Sequence, residues 1–240
     1  MTDELRRTFA PTEILRAALN HGNRVLVSRN ASGQAEGITV DLARIVAERL
    51  ELPLEFVHYE RAIDVSSSAT DGSWDICFLA VDPGRAEVIH FTDPYVRIEG
   101  NYLASPLCKM SDAVTLVRDG AKVGTVDGSA YTLHLKRQEG AENLVVYRDI
   151  VRALAAMDCG DVEAIAGISA AMEIEAATRP GARVLQPPFM AILQAMGTPK
   201  AHTAAGAWLT EFVAELARSG SIGEILDRHG VASDCAVVPQ

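Results

Sequence analysis

Arg85 sits in Asp82-Pro83-Gly84-Arg85, immediately after the apolar run WDICFLAV at 74–81. An arginine held where a buried strand ends has two uses. It can stay in the turn, paired with Asp82 or Glu87, or it can hold an anion. The guanidinium is a planar fork of donors that matches a carboxylate at two points. Other reactive side chains form no competing constellation. Cys77, Cys108, Cys159 and Cys235 are far apart with no Cys-x-x-Cys pair, so free thiols are expected, with Cys77 an inert core residue. The six histidines are dispersed, and none repeats at i, i+4 around a carboxylate. No metal, cofactor or catalytic residue is expected.

Composition narrows the partners. With a net charge of −10 the chain lacks the basic stripe that phosphate backbones require, so no nucleic acid is expected. A hydrophobic fraction of 48% beside 22% charged residues suits a soluble globular chain with real cores. No apolar run approaches the ~18 residues of a membrane span. The start, MTDELRRTFAPTEIL, shows no secretory signal. The expected location is therefore the cytoplasm if Met1 is the native start, and the periplasm if a leader has been removed. A monomer is expected.

The elements that would position Arg85 alternate in type, which predicts an α/β fold. ILRAAL (14–19) reads as a strand followed by the polar loop Asn20-His21-Gly22-Asn23. GITVDLARIVAERL is a helix with Leu42, Ile45, Val46 and Leu50 on one face. LPLEFVHY is a strand, a Ser-rich helix spans about 61–70, and WDICFLAV is the next strand. After GNYLASP a second series follows: AKVGTV, the helix AYTLHLKRQE with Tyr131 and Leu135 on one face, and NLVVY. RDIVRALAAMDCG, VEAIAGI, SAAMEIEAATRPG and an edge RVLQPP continue it. FMAILQAMG is extended. AGAWLTEFVAELARSG is an amphipathic helix, and SIGEILDRHG a shorter one capped by Ser221 and ended by Gly230. The final helices need a surface to cover, and the first series lacks helical cover. That predicts two lobes, 1–104 with 191–240 and 105–190. Hinge strands are expected near Asn101–Ser105 and Met190–Met196, with a cleft between the lobes.

In this order the pieces resemble the type II periplasmic-binding-protein fold, and in particular the polar-amino-acid (family 3) solute-binding proteins of ABC importers. The resemblance covers Ile14 to Gly230. It rests on EGITVDLARIVAERL with Asp41, GSWDICFLAVDPGRAEVIHFTDPY, VGTVDGSAYTLHL and ALAAMDCGDVEAIAG. It implies a small-molecule ligand, carboxylate-bearing or amino-acid-like, and an importer permease as partner. Arg85 matches the family's carboxylate-gripping arginine, Pro94-Tyr95 leads toward the crossover, and Phe91 pins the edge of lobe one. Phe78, Ala80, Gly128, Ser129, Tyr131, Asn20, His21 and Asn23 complete the ligand-binding set.

Several positions depart from the family pattern. The hydroxyl expected five residues before the arginine is Ala80. The hydroxyl-rich turn of the second lobe reads Gly128-Ser129-Ala130, keeping one hydroxyl and the helix-start amides that favour an anion. The aspartate expected to hold an α-ammonium falls on Gly167 or Ile168. The aromatic lid position is Asn23, beside Asn20 and His21, which offer donors and acceptors but no stacking face. Burying an ammonium without a carboxylate partner costs on the order of several kcal/mol. A small carboxylate, or an uncharged polar molecule with one acidic group, therefore fits better than a standard α-amino acid. The alternative is a cytoplasmic sensor or a cyclohexadienyl-dehydratase-like lyase on the same fold. The lyase glutamate would align near Ala171, with Glu173 and Glu175 displaced along the helix.

Overall fold

The computed structural model describes residues 3–238. Its helices and strands run, in chain order, α1 (Asp3–Phe9), β1 (Leu15–Asn20), β2 (Ser28–Arg29), β3 (Ala35–Glu36), α2 (Ile38–Leu50), β4 (Leu54–Tyr59), α3 (Ala62–Ser67), β5 (Ile76–Ala80) and β6 (Ile89–Ala104). There follow β7 (Val123–Val126), α4 (Ala130–Leu135), β8 (Leu144–Tyr147), α5 (Ile150–Asp158), β9 (Ala164–Ile168), α6 (Ser169–Ala177), β10 (Arg183–Val184), β11 (Met190–Pro199), α7 (Thr203–Arg218) and α8 (Ser221–Arg228). The chain divides into two compact units, 1–97 with 193–240, and 98–192. The changeovers fall inside the long strands β6 and β11.

In the first unit the strand order is β4-β1-β5-β11, with β1 parallel to both β4 and β5, and β11 antiparallel to β5. Parallel neighbours demand crossovers, supplied by α2 and α3. β5 is buried along its whole length, as its uniformly apolar sequence requires. One core gathers Ala18, Cys77, Leu79 and Ile89 under α3, with Trp74 donating its indole N–H to Ser68 Oγ at 3.0 Å. Leu209, Phe212, Val213 and Leu216 of α7 are all buried, so its apolar stripe does face inward.

The second unit repeats the parallel plan with β8-β7-β9, and β6 closes it antiparallel to β9. Leu103, Leu154, Met157, Ile165 and Met172 form its core.

Residues 89–104, which carry Phe91 and Pro94-Tyr95, form one sixteen-residue strand. Two local expectations change. The edge expected at 183–188 shortens to two residues on β6. Ser221 is not the cap of α8. Gly220, at φ 80°, holds that position, and Ser221 Oγ instead pairs with Ser219 Oγ at 2.8 Å. The hairpin β2–β3 had no apolar alternation to announce it.

Candidate functional site

In the first unit, the C-terminal ends of β1, β4 and β5 share one sheet edge, where open α/β sheets bind ligands. β1 ends at Asn20, and the loop beyond it is held by short-range bonds. Asn20 Oδ1 accepts from the Gly22 amide at 3.1 Å, and the Asn23 amide donates to the Asn20 carbonyl at 3.1 Å. Gly22 is required by close approach, since a Cβ there would lie 2.9 Å from the Glu60 carbonyl oxygen. His21 donates its amide to Tyr59 O at 2.8 Å. Its Nε2 meets His58 Nδ1 at 2.9 Å. A nitrogen–nitrogen contact of this kind holds one proton between two rings, so at least one of the facing nitrogens is unprotonated. Burial, joined by the Arg29 charge, moves both histidines below the usual imidazole range.

Asn23 is only 6% exposed, and its Oδ1 meets no hydrogen-bond partner among the described residues. Its carbonyl is committed to the amides of Leu26 and Val27.

β5 ends at Ala80, with Phe78 and Ala80 on the face opposite Cys77 and Leu79. Asp82 Oδ1 accepts from the amide of Gly84 at 2.9 Å and from that of Arg85 at 3.4 Å, which shapes the turn. Arg85 is 4% exposed and donates from Nη1 to Ala80 O at 2.9 Å. Burial lowers its pKa, against the pull of Asp82. Arg85 is therefore a buried cation anchored to the last carbonyl of a buried strand, not a solvated turn residue.

The second unit presents the ends of β7, β8 and β9 in the same way. Gly128 takes φ 65°, a conformation glycine supplies without strain. Ser129 caps α4: its Oγ accepts from the Thr132 amide at 3.1 Å, while its own amide donates to Val126 O at 3.1 Å. Thr132 Oγ1 adds a 2.7 Å contact to Ser129 Oγ. Tyr131, 8% exposed, has its phenol pushed up to about 12 by burial, with a hydrogen bond to Ser129 opposing. Much of the hydrogen-bonding capacity read from the sequence as open to an anion thus organises the turn itself. At Gly167, one of the two positions where the resemblance would place an aspartate, an added Cβ would lie 2.6 Å from Met172 Cε, so a thioether fills that space. Glu175 pairs with Arg179, and Glu173 is exposed.

Two contacts at the expected positions had no signal in the sequence. His58 meets His21 across 37 residues, and Met172 fills the space above Gly167. The first depends on β1 lying beside β4, the second on α6 packing back onto β9. Among the described residues no group of three or more His, Cys, Asp or Glu converges as a metal site, and no helix is long and apolar enough to cross a membrane. The four cysteines are free thiols, Cys77 and Cys108 buried, and burial pushes the Cys77 thiol up.

Comparison with known proteins places these features in context. The sequence profile of bacterial extracellular solute-binding proteins, family 3, matches residues 15–232. The amino-acid-binding protein AabA of Dichelobacter nodosus is 25% identical over 171 residues, covering 68% of this chain. The match spans 66% of that relative's length. Among solved structures, a mutant of ArgBP from T. maritima superposes with a TM-score of 0.79 at 17% identity, covering 94% of this chain and 99% of the other. A histidine kinase sensor domain similar to periplasmic binding proteins gives 0.79 at 16% identity, covering 94% and 98%. An ancestral amino acid-binding protein, a precursor of cyclohexadienyl dehydratase, gives 0.76 at 17% identity, covering 95% and 99%. These likenesses show the two-lobed α/β fold of periplasmic binding proteins.

Proposed function

From the premise that the chain belongs to the bacterial extracellular solute-binding proteins of family 3, we propose that it captures a small carboxylate-bearing polar solute through Arg85. The observation that carries this reading is the burial of Arg85, 4% exposed at the C-terminal end of β5 and tied to Ala80 O. A guanidinium held there by backbone is pre-oriented, so little side-chain entropy is lost when a carboxylate docks. The amino-acid-binding relative points to the same class of solute. No lyase glutamate supports the catalytic alternative, because Glu175 is engaged by Arg179 and Glu173 lies in solvent. The chain binds rather than transforms its solute. Delivery to an importer permease, action as a monomer and a periplasmic location complete the proposal.

The test is a thermal-shift screen of small carboxylates and amino acids, followed by calorimetry. A ligand at 100 times its Kd adds about 2.7 kcal/mol to stability. Charge-assisted bonds contribute ~1.5–3 kcal/mol each, so Arg85→Ala weakens binding at least tenfold, by order of magnitude. Arg85→Lys recovers only part, because an ammonium lacks the planar two-point contact. Binding by Arg85→Ala within about twofold of the parent would place the site elsewhere.

A further inference from the structure

The loop after β1 is held by several bonds of its own. Asn20 Oδ1 has the Gly22 amide, the Asn20 carbonyl has the Asn23 amide, and the Asn23 carbonyl has the amides of Leu26 and Val27. Asn23 Oδ1 is buried and has no partner among the described residues. A buried amide oxygen gives up its bonds to water and gains nothing in return, which native structures rarely tolerate without a purpose. Its position suggests the purpose. The Asn23 amide is bonded to the last residue of β1, and the Arg85 guanidinium to the last residue of β5. These two strands are adjacent and parallel, so both residues follow neighbouring strand ends on one edge of the sheet.

Resting on the solute-binding reading above, we propose that Asn23 Oδ1 accepts a hydrogen bond from an uncharged N–H or O–H of the solute. The solute is then a carboxylate with a neutral donor, such as a hydroxy acid or a monoamide, in preference to an α-amino acid. Charge complementarity makes this choice. The acidic side chains that follow β4 and β5 already serve cations or amides: Glu60 faces Arg29, Asp64 faces Arg61, and Asp82 takes the amides of Gly84 and Arg85. An ammonium brought here would meet a neutral amide oxygen beside a strand end that carries a guanidinium, and that arrangement leaves it uncompensated. A hydroxyl or amide N–H leaves no charge buried.

The experiment uses the full chain and two matched probe sets. One is propionate, lactate and alanine; the other is valerate, glutaramate and 5-aminovalerate. In each set the carboxylate stays while the second group is apolar, a neutral donor or an ammonium. Calorimetry on the parent is expected to show lactate or glutaramate binding about tenfold or more above both of its counterparts. Asn23→Leu is expected to erase that preference. It should also raise the melting temperature of the ligand-free protein by about 2–4 °C, because it removes an unpaired buried oxygen. Asn23→Asp keeps the shape and adds a charge, so it is expected to turn the preference toward the ammonium-bearing probe. A lower melting temperature in ligand-free Asn23→Leu would show that the oxygen already has a structural partner such as a bound water, and would overturn the proposal. A parent that prefers alanine or 5-aminovalerate would overturn it too. If no probe binds the parent, the carboxylate reading of Arg85 fails, while the melting temperature of Asn23→Leu still decides the role of Asn23.

Discussion

Asp75 offers a direct test of how the first unit holds its sheet edge together. Its side chain is fully buried and accepts three bonds from one residue. The Arg16 amide donates at 2.8 Å and Nε at 3.0 Å to Oδ2, and Nη2 donates at 2.7 Å to Oδ1. The Asp75 amide returns a bond to Arg16 O at 2.8 Å. Asp75→Ala takes the anion from the Arg16 guanidinium, which keeps the Gly72 carbonyl, and takes the acceptor from the Arg16 backbone amide. Breaking a buried pair in this way costs roughly 3–5 kcal/mol. Arg16 is 19% exposed and can partly rehydrate, which favours the lower bound. At about 3 kcal/mol, and about 2–4 °C per kcal/mol for a chain of this size, the melting temperature falls by roughly 6–12 °C. Asp75→Asn keeps one acceptor and the packing, and is expected to lose about half as much. Both tryptophans, Trp74 and Trp208, belong to the first unit, so urea unfolding followed by tryptophan fluorescence reads the affected region. A loss below about 1 kcal/mol in Asp75→Ala would refute the reasoning, since it would mean the pair is hydrated and Arg16 needs no anion.

Three further outcomes follow from other contacts. Asp41 accepts from His229 Nε2 at 2.9 Å and from Arg228 Nη2 at 3.1 Å, joining the start of α2 to the end of α8. Burial works to raise its carboxyl, but the bonds to His229 and Arg228 prevail and hold it below the ordinary range. Its contribution is therefore present above the unfolded carboxylate pKa of ~3.9 and is lost as pH falls below it, so parent and Asp41→Asn should converge in melting temperature toward pH 3. The paired His21 and His58 are lowered, by burial first, so the unfolded state binds their protons more readily and stability falls as pH drops through ~6.5. His58→Gln should flatten that part of the melting-temperature profile. Gly37 has φ 127°, and a Cβ there would lie 2.6 Å from Leu26 O, so Gly37→Ala should cost about 2 kcal/mol or more in urea unfolding.

The alternation of elements and the faces of the main helices were legible in the sequence, because burial on one side imposes a period. Leu42, Val46 and Leu50 on α2, and Leu209, Phe212, Val213 and Leu216 on α7, are buried as that period requires, while Ile45 on the same α2 face is only half-buried. β5 is buried at every position, as an uninterrupted apolar run demands. The sequence left two uses open for Arg85, and the structure shows that it is buried. What surrounds each side chain was not legible, because strand order and register bring together residues far apart in the chain. The meeting of His21 with His58 required β1 beside β4 in a particular register. The filling of the space above Gly167 required α6 to fold Met172 back onto β9. The sequence shows an asparagine at position 23. Only the packed loop shows that Asn23 Oδ1 is buried and meets no donor among the described residues. Hydrophobic periodicity is a local property that the sequence carries by itself, whereas hydrogen-bond satisfaction depends on every neighbour at once and is decided by tertiary structure.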